Sequence, residues 1–201
     1  MTPKNNPQDQ LEKNLKYLKL PYMRDQHQTL AKRASQKKWP HLEYFEKLAD
    51  GEAALRRDHS VQRRIRLARF PVIKTLDQFN WTWPKNINRL QVQNLFRLQF
   101  VKNKSNVILL GGVGLGKTHL ATALGYAACL KGNTVLFATA IDVINTLSAA
   151  QAAGRMKQEL KKYTRPVLLI IDELLLHQLM LQKYDHTLKT NHDKYFQKQF
   201  V

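Results

Sequence analysis

The sequence predicts an α/β fold: a parallel sheet flanked by helices, behind an all-helical N-terminal region. Three observations predict it. Short apolar runs at Val107 to Leu110, Thr134 to Thr139 and Val167 to Ile171 alternate with segments of helical spacing, the order that builds a sheet covered on both faces. Residues 11 to 69 show helical recurrence and no strand-like alternation. Between the first apolar run and the helix after it lies a loop dominated by glycine, Gly111 to Gly116.

The elements follow in chain order. Leu11, Leu15 and Leu18 recur at three to four residues, as do Leu42, Phe45 and Ala49 after the Trp39-Pro40 start of a second pattern, each reading as one apolar side of a helix. Gly51 is expected to punctuate the segment, and from Glu52 a further helix carries Ala54, Val61, Ile65 and Ala68 on one side. Arg56, Arg57, Arg63, Arg64, Arg66 and Arg69 decorate the rest of it, answered within that window by Asp58 alone. Residues 1–69 are thus read as a helical, arginine-rich region suited to DNA or partner contacts, and 70–105 as a connector plus the first helix of the next domain. Pro71 and Pro84 break the connector, and Leu90 to Val101 is amphipathic. Residues 106–173 form the α/β core. Within it, helices are expected over 117 to 131 with Gly132 as the stop, over Ile141 to Ala153 ending near Gly154, and over the short basic stretch Met156 to Tyr163. Residues 174–201 are a divergent tail.

Composition bounds the function. The 201 residues carry 33 Lys+Arg against 15 Asp+Glu, a formal charge of +18, which attracts polyanions over long range and makes nucleic acid the first partner to consider. No run approaches the roughly 18 apolar residues of a membrane span. The polar start "MTPKNNPQDQ" lacks the apolar block of a secretory signal, so the expected location is the cytoplasm, with no membrane partner. Cys129, the single cysteine, sits in the apolar run "GYAACL" and reads as a buried structural residue.

Gly111-Gly112-Val113-Gly114-Leu115-Gly116-Lys117-Thr118 satisfies G-x-x-x-x-G-K-[ST], after a strand signal and at the start of a helical one. Glycines let such a loop curl so that successive N–H groups point inward as an anion nest, and the helix adds its positive dipole end. Lys117 would reach the terminal phosphates of ATP and Thr118 would bind Mg²⁺. The run "VLLIIDE" ends in Asp172 and Glu173, two carboxylates at the sheet edge onto which the loop opens. Asp172 would support Mg²⁺ through its water shell, and Glu173 would act as general base toward an attacking water. This is the constitution of a P-loop NTPase.

With "LKYLKLPYMRDQ" near the start, "RRIRLARFPVIKTLDQFNW" before the core, the stretch from Asn106 through the glycine loop to Leu147, and "RPVLLIIDEL" at the acidic strand, residues 11 to 173 resemble the IstB-like ATPases. These are helper proteins of bacterial insertion sequences, related to helicase loaders of the DnaC type. The resemblance implies a helical N-terminal region followed by an AAA+ domain that binds ATP and Mg²⁺. It also implies assembly as a homo-oligomer on duplex DNA and presentation of target DNA to a cognate transposase. It makes Gly111 to Thr118 the Walker A loop, followed on the helix by His119 as a further nucleotide contact, and Asp172 and Glu173 the Walker B pair, with Lys117 and Glu173 the catalytic groups. Arg56, Arg57, Arg63, Arg64, Arg66 and Arg69 fall where the DNA-facing surface is expected.

After Glu173 the resemblance ends. The tail "LLLHQLMLQKYDHTLKTNHDKYFQKQFV" lacks the glycine and proline of the family's continuation, as a truncation or a frameshift near codon 174 would leave it. In AAA+ sheets the strand after Walker B lies between the P-loop strand and the Walker B strand, so its loss deprives both of a partner and puts hydrolysis in question. The expected function is an ATP-binding helper of transposition. The alternatives are a DnaC-like helicase loader with the same site, and a non-hydrolysing DNA-binding remnant.

Overall fold

The computed structural model describes residues 7–82 and 87–173. Two compact units, Met1–Ser60 and Val61–Val201, divide the chain. The division falls inside a helix rather than at residue 69, because the last turns of that helix are embedded in the core of the second unit.

The first unit is helical, as its sequence pattern requires. It comprises α1 (Pro7–Tyr17), α2 (Pro21–Lys37) and the N-terminal part of α3 (His41–Ala68). Gly51 does not punctuate it; the glycine lies in the interior of α3. Its role is close approach: a Cβ at Gly51 would overlap the ring of Tyr22 on α2. Nor does the recurrence Leu42, Phe45, Ala49 mark the packed side, since Leu42 and Phe45 are exposed and Leu48 and Glu52 are buried. The reason is a helix end. The start of α2 has Pro21 in its first turn and no side-chain cap of its own, so its N–H groups need an outside acceptor. Glu52 supplies one, accepting from the amides of Tyr22 at 2.9 Å and Met23 at 3.3 Å. Arg56, one turn on, donates Nε to Glu52 at 3.2 Å and Nη2 to the carbonyl of Lys19 at 2.8 Å.

The second unit begins with the end of α3. A 3₁₀ turn (Leu76–Gln78) interrupts the connector, and the amphipathic segment that follows forms two short helices, α4 (Arg89–Leu95) and α5 (Gln99–Lys102), rather than one. Leu98 adopts a left-handed conformation (φ 60°) between them and is buried. Then come α6 (Lys117–Leu130), β1 (Val135–Thr139), α7 (Ala140–Ala152), α8 (Met156–Thr164) and β2 (Leu168–Asp172), within a residue or two of the expected bounds. Strands β1 and β2 pair in parallel, in register from Val135 with Leu168 to Thr139 with Asp172. Helix α6 packs on both. Leu124, Leu168 and Ile170 are fully buried between them, each worth about 1.5–3 kcal/mol of hydrophobic stabilisation. Gly125 makes the contact possible, for a Cβ there would lie 2.6 Å from Ile170 Cδ1 and 2.8 Å from Phe70 Cε1.

One expected strand is corrected. Among the described residues Val107 to Leu110 forms no ladder, although burial alternates along it: Val107 and Leu109 pack inward while Ile108 and Leu110 are exposed. The period is that of a strand, but a strand exists through its partner. The neighbour that the AAA+ arrangement would provide follows Glu173, outside the described residues. So do the tail residues His177, His186 and His192, whose spacing in the sequence predicts no metal site.

Candidate nucleotide site

The glycine loop leads into α6 through Gly116, whose left-handed conformation (φ 81°) sets the helix start. Among the described residues no side chain caps that start, and no acid occupies its first turn. Its positive end therefore remains available to an anion. Gly111 and Gly114 also have positive φ, and Val113 at the loop tip is fully exposed. Leu115 turns back toward Gly111, where an added Cβ would sit 3.2 Å from Leu115 Cδ1. Lys117 Nζ donates to the carbonyl of Gly112 at 2.7 Å, which holds the ammonium across the loop from the helix that carries it.

The acidic strand meets the first turn of α6. Thr118 Oγ1 donates to Asp172 Oδ1 at 3.2 Å, joining the first turn of α6 to the carboxyl end of β2 across 54 residues of sequence. A hydroxyl and a carboxylate at this separation, beside an uncapped helix start, are a suitable donor set for Mg²⁺ carried by a nucleotide. Glu173 follows directly, exposed and with a left-handed backbone (φ 57°), so the strand ends at Asp172 and the next carboxylate leaves the sheet at the same edge.

His119 is engaged elsewhere. Its Nε2 lies 2.9 Å from the carbonyl of Thr75 and donates to it, and its ring stands edge-on to Phe79 at 5.4 Å. It fastens the connector to α6, so any part it has in nucleotide contact falls to its backbone. The connector residues were not legible as part of the site. Phe79 is buried, and its Cε2 would lie 2.6 Å from a Cβ added at Gly116. Trp81 packs edge-on to Phe79 at 4.9 Å, with the Arg89 guanidinium 4.9 Å above the Trp81 ring. The signal available in the sequence was Thr75-x-x-Gln78, a capping box that the 3₁₀ turn realises, Gln78 Oε1 accepting from Thr75 N at 3.2 Å.

The six arginines separate by role. Arg56 is tied to Glu52 and Lys19 in the first unit. In the second, Arg64 Nε donates to the carbonyl of Cys129 at 3.0 Å. Arg57, Arg63, Arg66 and Arg69 are exposed. Cys129 is buried as expected, and burial pushes its thiol up to about 11, against the opposing influence of the Arg64 charge. Among the described residues no helix is long and apolar enough to cross a membrane, and no cluster of His, Cys, Asp and Glu could hold a metal ion by itself.

Residues 13–201 match the family described as IstB-like ATP binding protein. The match runs beyond Glu173, where the motif-level resemblance ends. The chain is 31% identical over 180 residues to the "Insertion sequence IS5376 putative ATP-binding protein" of Geobacillus stearothermophilus, covering 84% of this chain and 72% of that one. It is 36% identical over 165 residues to the "Insertion sequence IS21 putative ATP-binding protein" of Pseudomonas aeruginosa, covering 82% of this chain and 62% of that one.

Proposed function

Because this chain belongs to the IstB-like ATP-binding proteins, we propose that it is a transposition helper. It binds Mg·ATP, holds duplex DNA, and uses the nucleotide to control capture of target DNA for a cognate transposase, working as a homo-oligomer. The observation that supports the reading is the 3.2 Å contact between Thr118 and Asp172, a hydroxyl and a carboxylate beside the glycine loop that together would suit Mg²⁺.

The residues divide the work by their chemistry. Backbone N–H groups of the loop and the start of α6 orient the phosphate oxygens. Lys117 neutralises charge at the terminal phosphate, and Thr118 with Asp172 would hold Mg²⁺. The ion's chemistry here is to offset charge on the phosphate oxygens. Glu173 accepts a proton from the water that attacks the terminal phosphoryl group, a contribution of about 10²–10⁴ in rate for a well-placed base. Arg57, Arg63, Arg66 and Arg69 would contact DNA phosphates, which gives sequence-tolerant, salt-sensitive binding suited to many targets. A helicase loader would use the same site; capture of a replicative helicase in place of a transposase distinguishes it.

A second reading is a DNA-binding chain that holds ATP without turning it over. Phosphate release from Mg·ATP, measured with and without duplex DNA and with Glu173→Gln as control, separates the two. DNA-stimulated release that falls at least about a hundredfold in the variant is expected of the helper. Nucleotide binding without release supports the second reading, and no nucleotide binding refutes both.

A further inference from the structure

Arg64 stands among arginines suited to DNA, yet its geometry differs from theirs. At about 100° per residue, Arg63 and Arg66 lie about 60° apart on α3 and on the side away from Ile65 and Ala68, which are 9% and 0% exposed. Arg64 lies on the flank of that buried side, and its Nε reaches the carbonyl of Cys129 at 3.0 Å. Cys129 belongs to the last turn of α6, the helix whose first turn holds Lys117 and Thr118. Its carbonyl already accepts from the amide of Gly132 at 3.1 Å. The guanidinium therefore adds a charge-assisted bond and a positive charge at the negative end of the helix.

The rest of the junction is solid. Ile65 and Ala68 of α3 share one buried cluster with Leu124, Ala128 and Cys129 of α6, and close-packed interiors transmit displacement rather than absorb it. Helix α6 has 14 residues, so it is a rod of about 21 Å with the phosphate loop at one end and Arg64 at the other.

We infer that Arg64 is a positioning residue that couples the DNA-facing arginines of α3 to the nucleotide loop through the long axis of α6. The inference rests on the function proposed above. DNA phosphates held by Arg63 and Arg66 bias the position of α3, and Arg64 passes that bias to the C-terminal end of the helix that begins at Lys117. Linkage makes the effect reciprocal: duplex must change nucleotide affinity by the same factor as nucleotide changes duplex affinity.

The experiment titrates a fluorescent duplex into the full chain with and without a non-hydrolysable ATP analogue and Mg²⁺, then titrates the analogue with and without duplex. In the unaltered chain the two ratios should agree and depart from one by about fivefold or more. In Arg64→Met, which keeps an apolar stem but not the guanidinium, the ratio should fall to within about twofold of one while each ligand still binds alone; Arg64→Lys should restore part of it. A purely structural cap would lower stability and leave the ratio standing, so a Met variant with the original ratio overturns the inference. So does a ratio of one in the unaltered chain when both ligands bind. Should Arg64→Met fail to fold, hydrogen exchange on the unaltered chain decides: duplex should raise protection of amides 128–133, and no change there overturns the coupling. Failure of the unaltered chain to bind the analogue or the duplex at all overturns the proposed function, and the inference with it.

Discussion

Gly116→Ala tests how the site is built, because two separate costs meet at one atom. The backbone there is left-handed (φ 81°), which costs an L-residue about 1–2 kcal/mol. The added Cβ would also lie 2.6 Å from Phe79 Cε2 and 3.3 Å from Cζ. Phe79 is buried and held by Trp81 and His119, so its ring cannot simply swing away. Overpacking of this kind costs about 1–3 kcal/mol, for a total of about 2–5 kcal/mol. The two parts separate in a double-mutant cycle with Phe79→Leu, which removes the ring edge and leaves an apolar side chain. In that background only the backbone cost remains, so the coupling energy should be about 1–3 kcal/mol. Chemical denaturation of the four proteins measures it, and nucleotide titration of the same proteins reports whether the loop follows. A coupling below about 0.5 kcal/mol, the ordinary limit of additivity, would refute the claim that the connector ring dictates glycine at this position.

Other consequences follow from the same contacts. Gly51→Ala should destabilise the first unit although helix propensity alone favours alanine by about 0.5–1 kcal/mol, because the new Cβ overlaps Tyr22; a gain in denaturation midpoint would show that the ring moves freely. Lys117→Ala should abolish nucleotide binding, since the loop then loses the ammonium held across it at 2.7 Å from Gly112 O; unchanged binding in a titration would contradict the site. Asp172→Asn should weaken nucleotide binding in the presence of Mg²⁺ far more than in its absence, and equal losses under both conditions would remove Asp172 from the metal site. The buried thiol predicts an alkaline effect. Cys129 holds its proton up to about pH 11 against an ordinary 9.0, so between those values the unfolded chain releases a proton that the folded one keeps. Stability from this group is complete below about pH 9 and is lost as pH rises toward 11, by about 3 kcal/mol at most. Comparing unfolding of the unaltered chain with Cys129→Ala across that window should show the difference shrinking; a constant difference would contradict the burial argument.

Local chemistry was legible in the sequence wherever one short segment carried its own constraint. The glycine loop needs no distant residue to demand positive φ or to open a helix, and Gly132 and Gly154 end their helices at the expected places. Apolar periodicity located β1, β2 and the helices between them. It failed where packing partners decide the outcome. Gly51 reads as a breaker because glycine is a poor helix former, yet the ring of Tyr22, 29 residues earlier, requires it within a helix. Leu42 and Phe45 have helical spacing but are exposed, since the start of α2 draws Glu52 and its side of α3 inward. Val107 to Leu110 has the strand period and no ladder among the described residues, because a strand is a property of two segments.

The sequence by itself determined the family, the glycine loop, and the two adjacent carboxylates that end the acidic strand, since these rest on residue types at short spacing. Only the tertiary structure decided that Thr118 and Asp172 meet, that His119 and Phe79 bind the connector to the loop helix, and that Arg64 grips the far end of that helix while its neighbours face outward. Those assignments depend on which groups come within hydrogen-bonding or contact distance across tens of residues. Such distances are fixed by the packing of α3, α6 and β2, not by any pattern along the chain.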